Sequence, residues 1–132
     1  MELELRQIGP RKLEVVSPNW SFVVDLKEKF GGENSGPNPS ELTAAALAAC
    51  ELLTGVVWAS RRHHVELEGL AATVKWDYAE KPDRISRINV EIRNVSSQLG
   101  DERKLRAFTA IAKGCTVTET FKMPPELNLK VE

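Results

Sequence analysis

Two cysteines, Cys50 and Cys115, are the residues of this chain best suited to covalent chemistry, and they lie 65 positions apart. That separation excludes a CxxC redox pair and a local zinc knuckle. Cys50 stands in Ala48-Ala49-Cys50-Glu51-Leu52-Leu53-Thr54, where a free cysteine also serves as a small buried hydrophobe. Cys115 follows Gly114, at or just before the start of a short helix. A thiolate placed there gains from the helix dipole, which lowers its pKa, although an incidental loop cysteine would read the same way. Together they could form a pair in which one thiolate attacks a peroxide O–O bond. The resulting sulfenic acid is then captured by the second thiol as a disulfide.

The residues around them narrow the chemistry. Glu51 is the only charged side chain between Leu42 and Ser60, so it either finds a cationic partner or faces a cleft. His63 and His64 follow Arg61-Arg62, a run of positive charge that suits a helix C-terminus. No spaced set of Cys and His accompanies them, so neither a metal site nor a cofactor is expected. The glycines of 31–36 are not followed by Lys-Ser/Thr, which excludes a phosphate loop. Trp20, Trp58 and Trp76 are expected in the core or lining an apolar pocket.

The elements that must hold these side chains give an α+β order, βββ-α-ββ-αα-β. Residues 1–8 and 12–16 alternate in the manner of strands around a Gly9-Pro10 turn, and 20–26 form a third strand. Residues 30–38 are a loop by their Gly, Asn and Pro content. Asn38, Pro39 and Glu41 open a helix over 39–62 as N-cap, first helical residue and capping-box carboxylate. Apart from Glu51 that helix is apolar or small on every face, and is expected to be buried all round. Its length would also suffice for a membrane span, but its alanine content and the central Glu51 argue against one. Residues 65–79 and 85–95 read as a hairpin. A helix over 101–113 ends at Gly114, Thr116 to Glu119 fit a capping box for a short helix, and 127–131 form a last strand.

With 132 residues, 42% hydrophobic and 28% charged, the chain fits one soluble domain over 1–132. A net charge of −1 without a basic block makes nucleic acid an unsuitable partner. The first residues lack the continuous apolar core of a signal peptide, so a cytoplasmic, reducing setting is expected, with the thiols free rather than stapled.

Asn38-Pro39-Ser40-Glu41-Leu42 followed by Ala48-Ala49-Cys50 resembles the helix start of the OsmC/Ohr family, the osmotically inducible and organic hydroperoxide resistance proteins. Cys115-Thr116-Val117 is similar to that family's second cysteine motif, with Thr116 where proline is common. The resemblance implies an OsmC-like fold and an intertwined homodimer with the long helices inside. It implies thiol-dependent reduction of organic or fatty hydroperoxides, Cys50 attacking, Cys115 resolving, and a small dithiol or lipoyl-type reductant restoring them. It also implies an N-terminal arginine that stabilises the thiolate, for which Arg11 is the candidate and Arg6 the second choice. The hydroperoxide-resistance branch places a glutamate ten positions before its first cysteine, where this chain has Ser40. Glu41, nine before, is turned by about 900° and displaced by about 13.5 Å along the helix. It would therefore act through a bridging group or across a dimer, or serve as a cap. The alternative is an OsmC-fold small-molecule-binding or stress-related protein without efficient peroxidase activity.

Overall fold

The computed structural model describes residues 1–132. The chain forms two compact units, Met1–Thr43 and Ala44–Glu132.

In the first unit, alternating apolar residues make three antiparallel strands in the order β1 (Glu4–Gly9), β2 (Lys12–Ser17), β3 (Trp20–Asp25). Leu13 pairs with Val24 and Val15 with Phe22, which places the buried Val15 and Val24 in adjacent strands. Trp20, expected in a core, is 48% exposed and stacks on Phe22 at the sheet surface. At the end of β3 the buried Asp25 organises the glycine-rich loop. Its Oδ2 accepts from the Ser35 hydroxyl at 2.7 Å and from the amides of Ser35 and Glu33 at 3.0 and 3.2 Å. Its Oδ1 accepts from the Leu26 amide at 2.8 Å. Gly32 is required in this loop, because a Cβ there would lie 2.0 Å from the Leu26 carbonyl oxygen.

The long helix α1 (Pro39–His63) begins as its sequence prescribes. The Asn38 side chain accepts from the Glu41 amide at 2.8 Å, while the Glu41 carboxylate accepts from the Asn38 amide at 3.1 Å. These reciprocal bonds satisfy donors that a helix start otherwise leaves unpaired.

In the second unit, β4 (Ala71–Ala79) and β5 (Arg84–Arg93) form an antiparallel hairpin, followed by α2 (Ser96–Leu99), α3 (Glu102–Ala112) and α4 (Thr116–Lys122). Val74 pairs with Val90 and Trp76 with Ile88, so these apolar residues share one face. The core combines Ala59, Leu67, Val95, Leu99, Phe108 and Ala112. Gly55 lies where α1 meets Phe108, and a Cβ there would come within 2.3 Å of that ring.

Three further sequence expectations are corrected, and one element is added. The strand placed at 65–79 starts only at Ala71. The segment before it instead gives its backbone to side chains, with Gln98 bonding both the amide and the carbonyl of Glu68, and Asn94 donating to the Gly69 carbonyl. The short α2 was not expected at all. The strand at 127–131 does not form: Leu127, Leu129 and Val131 are exposed, and their alternation finds no partner edge. Finally, α1 is not buried all round within the chain. Leu53 and Val57 are 58% and 46% exposed, on a ridge with Ala45 and Ala49. By length and composition the helix would also suffice to cross a membrane, its most apolar 18-residue stretch having a mean hydropathy of 1.7.

The hydrogen bonds from Ser35, then those from the Glu33 and Leu26 amides, outweigh burial and hold the Asp25 carboxyl at about 2, below its ordinary 3.8. A depressed folded-state pKa contributes stability above the unfolded value and loses it as pH falls through the folded one. Asp25→Asn should therefore lower the urea midpoint at neutral pH. It should also flatten the decline of that midpoint as pH drops from about 4 to about 2. An unchanged acid slope in the variant would exclude this role.

Candidate active site

Both thiols are free and belong to the second unit, Cys50 half-buried on α1 and Cys115 only 2% exposed at the N-cap of α4. The start of α4 explains how they are held. A helix leaves its first amides without intrahelical partners. The Cys115 amide donates back to the Ala112 carbonyl at 3.2 Å, and the Glu119 amide donates to the Cys115 carbonyl at 3.0 Å, the first bond of α4 proper. Of the three amides between, that of Thr118 donates to Cys115 Sγ at 3.4 Å. Those of Val117 and Thr116 act on the Cys50 sulfur. The expected cap at Thr116 is thus displaced by one residue, with the thiol of Cys115 taking the place of a hydroxyl.

Burial pushes the Cys50 thiol up, but hydrogen bonds to its sulfur prevail and its pKa lies below the ordinary value. In order of strength they come from the Val117 amide, the Cys115 side chain, the Thr54 hydroxyl one turn along α1, and the Thr116 amide. The result is a partly exposed thiol poised toward its nucleophilic form and facing a second thiol.

Cys115 Sγ also lies 3.1 Å from Thr118 Oγ1, which in turn donates to Glu51 Oε1 at 3.4 Å. Glu51 therefore has Thr118 as its partner and no arginine. Burial raises its pKa, opposed by the Thr118 bond and by the charge of Lys113. It borders a cavity of about 490 Å³ walled by Ile88, Val90, Ile92, Leu105 and Phe108. Trp58, at the edge of the core, stacks edge-on against Phe108.

Arg11 and Glu41 belong to the first unit. The Arg11 side chain lies over Gly31 and borders a smaller cavity of about 280 Å³ beside Asp25 and Pro39. Glu41 is committed to the α1 cap and to Lys27, whose Nζ is 2.8 Å from Oε1; that bond, then the Asn38 amide, lowers its pKa. Sequence reasoning missed Thr54, Thr118 and the amides of Thr116 and Val117. Of these, only Thr54, four residues from Cys50 on one helix face, carries a readable spacing.

An α+β chain with a long helix carrying one thiol and a short helix capped by another defines a thiol-bearing fold with known relatives. The family model described as OsmC-like protein matches residues 32–130, and the chain belongs to that family. Among solved structures, a candidate osmotic-stress-induced and detoxification-response protein of Psychrobacter arcticus is 21% identical, with 89% of this chain and 85% of that one covered at a TM-score of 0.78. An organic hydroperoxide resistance protein OsmC of Legionella pneumophila is 19% identical, covering 92% and 90% with a TM-score of 0.59. The organic hydroperoxide resistance protein OhrB of Bacillus subtilis is 18% identical, covering 94% and 93% with a TM-score of 0.55. At these identities the likeness is one of fold. No curated protein matches in sequence.

Thr54→Val removes one of the bonds that favour the Cys50 thiolate and should raise the Cys50 pKa. Titration of the thiolate ultraviolet absorbance in a Cys115→Ser background checks this. A titration that does not move would show that the Thr54 hydroxyl does not act on the sulfur.

Proposed function

We propose that this protein is a thiol-dependent peroxidase that reduces organic hydroperoxides. The observation that carries the reading is the Cys50 sulfur, favoured as a thiolate by the Val117 and Thr116 amides and facing the Cys115 side chain. The Cys50 thiolate attacks the outer peroxide oxygen, the O–O bond breaks, and an alkoxide leaves to take up a proton as the alcohol. Cys50 is then a sulfenic acid. Cys115 displaces its oxygen as water and forms a Cys50–Cys115 disulfide. A small dithiol or lipoyl-type reductant restores both thiols by exchange. Membership of the OsmC-like family and fold likeness to two proteins named for hydroperoxide resistance support the assignment.

Arg11 and Glu41 enter this reading through the family resemblance, Arg11 as a thiolate-stabilising cation and Glu41 as a carboxylate acting through a bridging group or across a dimer. A homodimer is supported by the open ridge of Ala45, Ala49, Leu53 and Val57 on α1, an apolar i, i+4 surface of the kind that packs against another helix. A cytoplasmic location suits two thiols that function reduced.

A second reading, a binding protein on the same fold, is favoured by one feature. The cavity beside Glu51 is bordered by neither cysteine. Turnover separates the two. With a dithiol present, the protein should consume cumene hydroperoxide, and Cys50→Ser should reduce that rate to background. Consumption at an undiminished rate in Cys50→Ser would exclude Cys50 as nucleophile. No consumption by the unmodified protein would favour the binding reading.

A further inference from the structure

We propose that Thr118 and Glu51 form a proton relay that deprotonates Cys115 when it resolves oxidised Cys50. The inference rests on the peroxidase reading and concerns only its second step. Three groups from two segments of the second unit line up: Cys115 Sγ at the cap of α4, Thr118 Oγ1 of its first turn at 3.1 Å, and Glu51 Oε1 of α1 at 3.4 Å beyond. The bond directions are consistent. Cys115 Sγ already accepts the Thr118 amide, so its own S–H is left to donate, and the Thr118 hydroxyl passes its hydrogen to a carboxylate that can only accept.

Cys115 has one proton and two possible acceptors. While Cys50 is a thiolate, the Cys115 S–H turns to it and helps to stabilise the charge. Once Cys50 is a neutral sulfenic acid that demand ends, and the S–H is free to turn to Thr118 Oγ1. The proton then passes from Cys115 to Thr118, and the Thr118 hydroxyl proton to Glu51. The Cys115 thiolate attacks Cys50 Sγ, the Cys50 S–O bond breaks, and the departing hydroxide recovers the proton from Glu51 and leaves as water. Cys115 sulfur is oxidised and Cys50 sulfur reduced, with no other reactant required.

Thr118 touches a reacting atom, whereas Glu51 acts through it. The other charged and titratable groups around Glu51 are Lys113, which opposes its raised pKa, Glu91 across the cavity, and the two thiols. Burial raises the Glu51 pKa, which makes it a better base for a thiol than an exposed carboxylate.

Single-turnover oxidation by one equivalent of cumene hydroperoxide separates the two steps. Cys50 sulfenic acid is followed by trapping with a cyclic dione, and disulfide by intact mass. In Glu51→Gln and Thr118→Val, the rate of disulfide formation relative to Cys50 oxidation should fall by about tenfold or more. The rise of the resolving rate with pH should lose its lower inflection in Glu51→Gln. Thr118→Ser, which keeps the hydroxyl, should resolve at close to the unmodified rate. Resolution in Glu51→Gln and Thr118→Val at the unmodified rate and with its pH profile would overturn the relay and leave the peroxidase reading standing. Failure of Cys50 to oxidise in the unmodified protein would overturn both.

Discussion

The unpaired amides at the start of α4 are the constraint on which the thiol site depends. Three N–H groups have no carbonyl to bond within their own helix. Two act on Cys50 and the third donates to Cys115. One helix terminus therefore organises both sulfurs, although they come from segments 65 residues apart. Were α4 to fray, Cys50 would keep its burial, which opposes ionisation, and lose the donors that favour it.

Several features exist to hold that terminus in place. The α3 helix opens on an Asp101 cap, whose side chain accepts from the Arg103 amide at 2.7 Å, and it buries Phe108 and Ala112 against α1. Gly55 lets the Phe108 ring approach the α1 backbone, which fixes α1 and α3 relative to each other. Gly114 and Cys115 then turn the chain within two residues, their amides bonding the Ile111 and Ala112 carbonyls. The sulfur of Cys115 is thereby aimed inward while Gly114 and Thr116 on either side stay exposed. The hairpin β4–β5 supplies Ile88, Val90 and Ile92 as the opposite wall of the cavity at Glu51.

Much of this was legible in the sequence, for identifiable reasons. The Asn38-Pro39-Ser40-Glu41 start of α1 is local, and local bonds realise it. The strands of the first unit follow a period of two that holds over five or six residues. The cysteines announce themselves by residue type. Long-range features are less readable. A backbone amide has no letter of its own, so nothing at Thr116 or Val117 signals a bond to Cys50. Asp25 reads as the end of a strand and proves to be the hub of a loop eight to ten residues further on. The alternation of Leu127, Leu129 and Val131 resembles that of a strand, but a strand needs an edge to pair with, and sequence does not supply one. The apolar character of α1, interrupted only by Glu51 between Leu42 and Ser60, implies a buried helix, yet one ridge remains uncovered within the chain.

Everything proposed for the site requires that Cys50 and Cys115 act as a pair. The most direct measurement is peptide mass spectrometry of the protein after one equivalent of organic hydroperoxide without reductant. The oxidised protein should be lighter by two hydrogens, with the peptides containing Cys50 and Cys115 joined through a disulfide. Cys50 recovered as a stable sulfinic or sulfonic acid, with Cys115 still a free thiol, would contradict it.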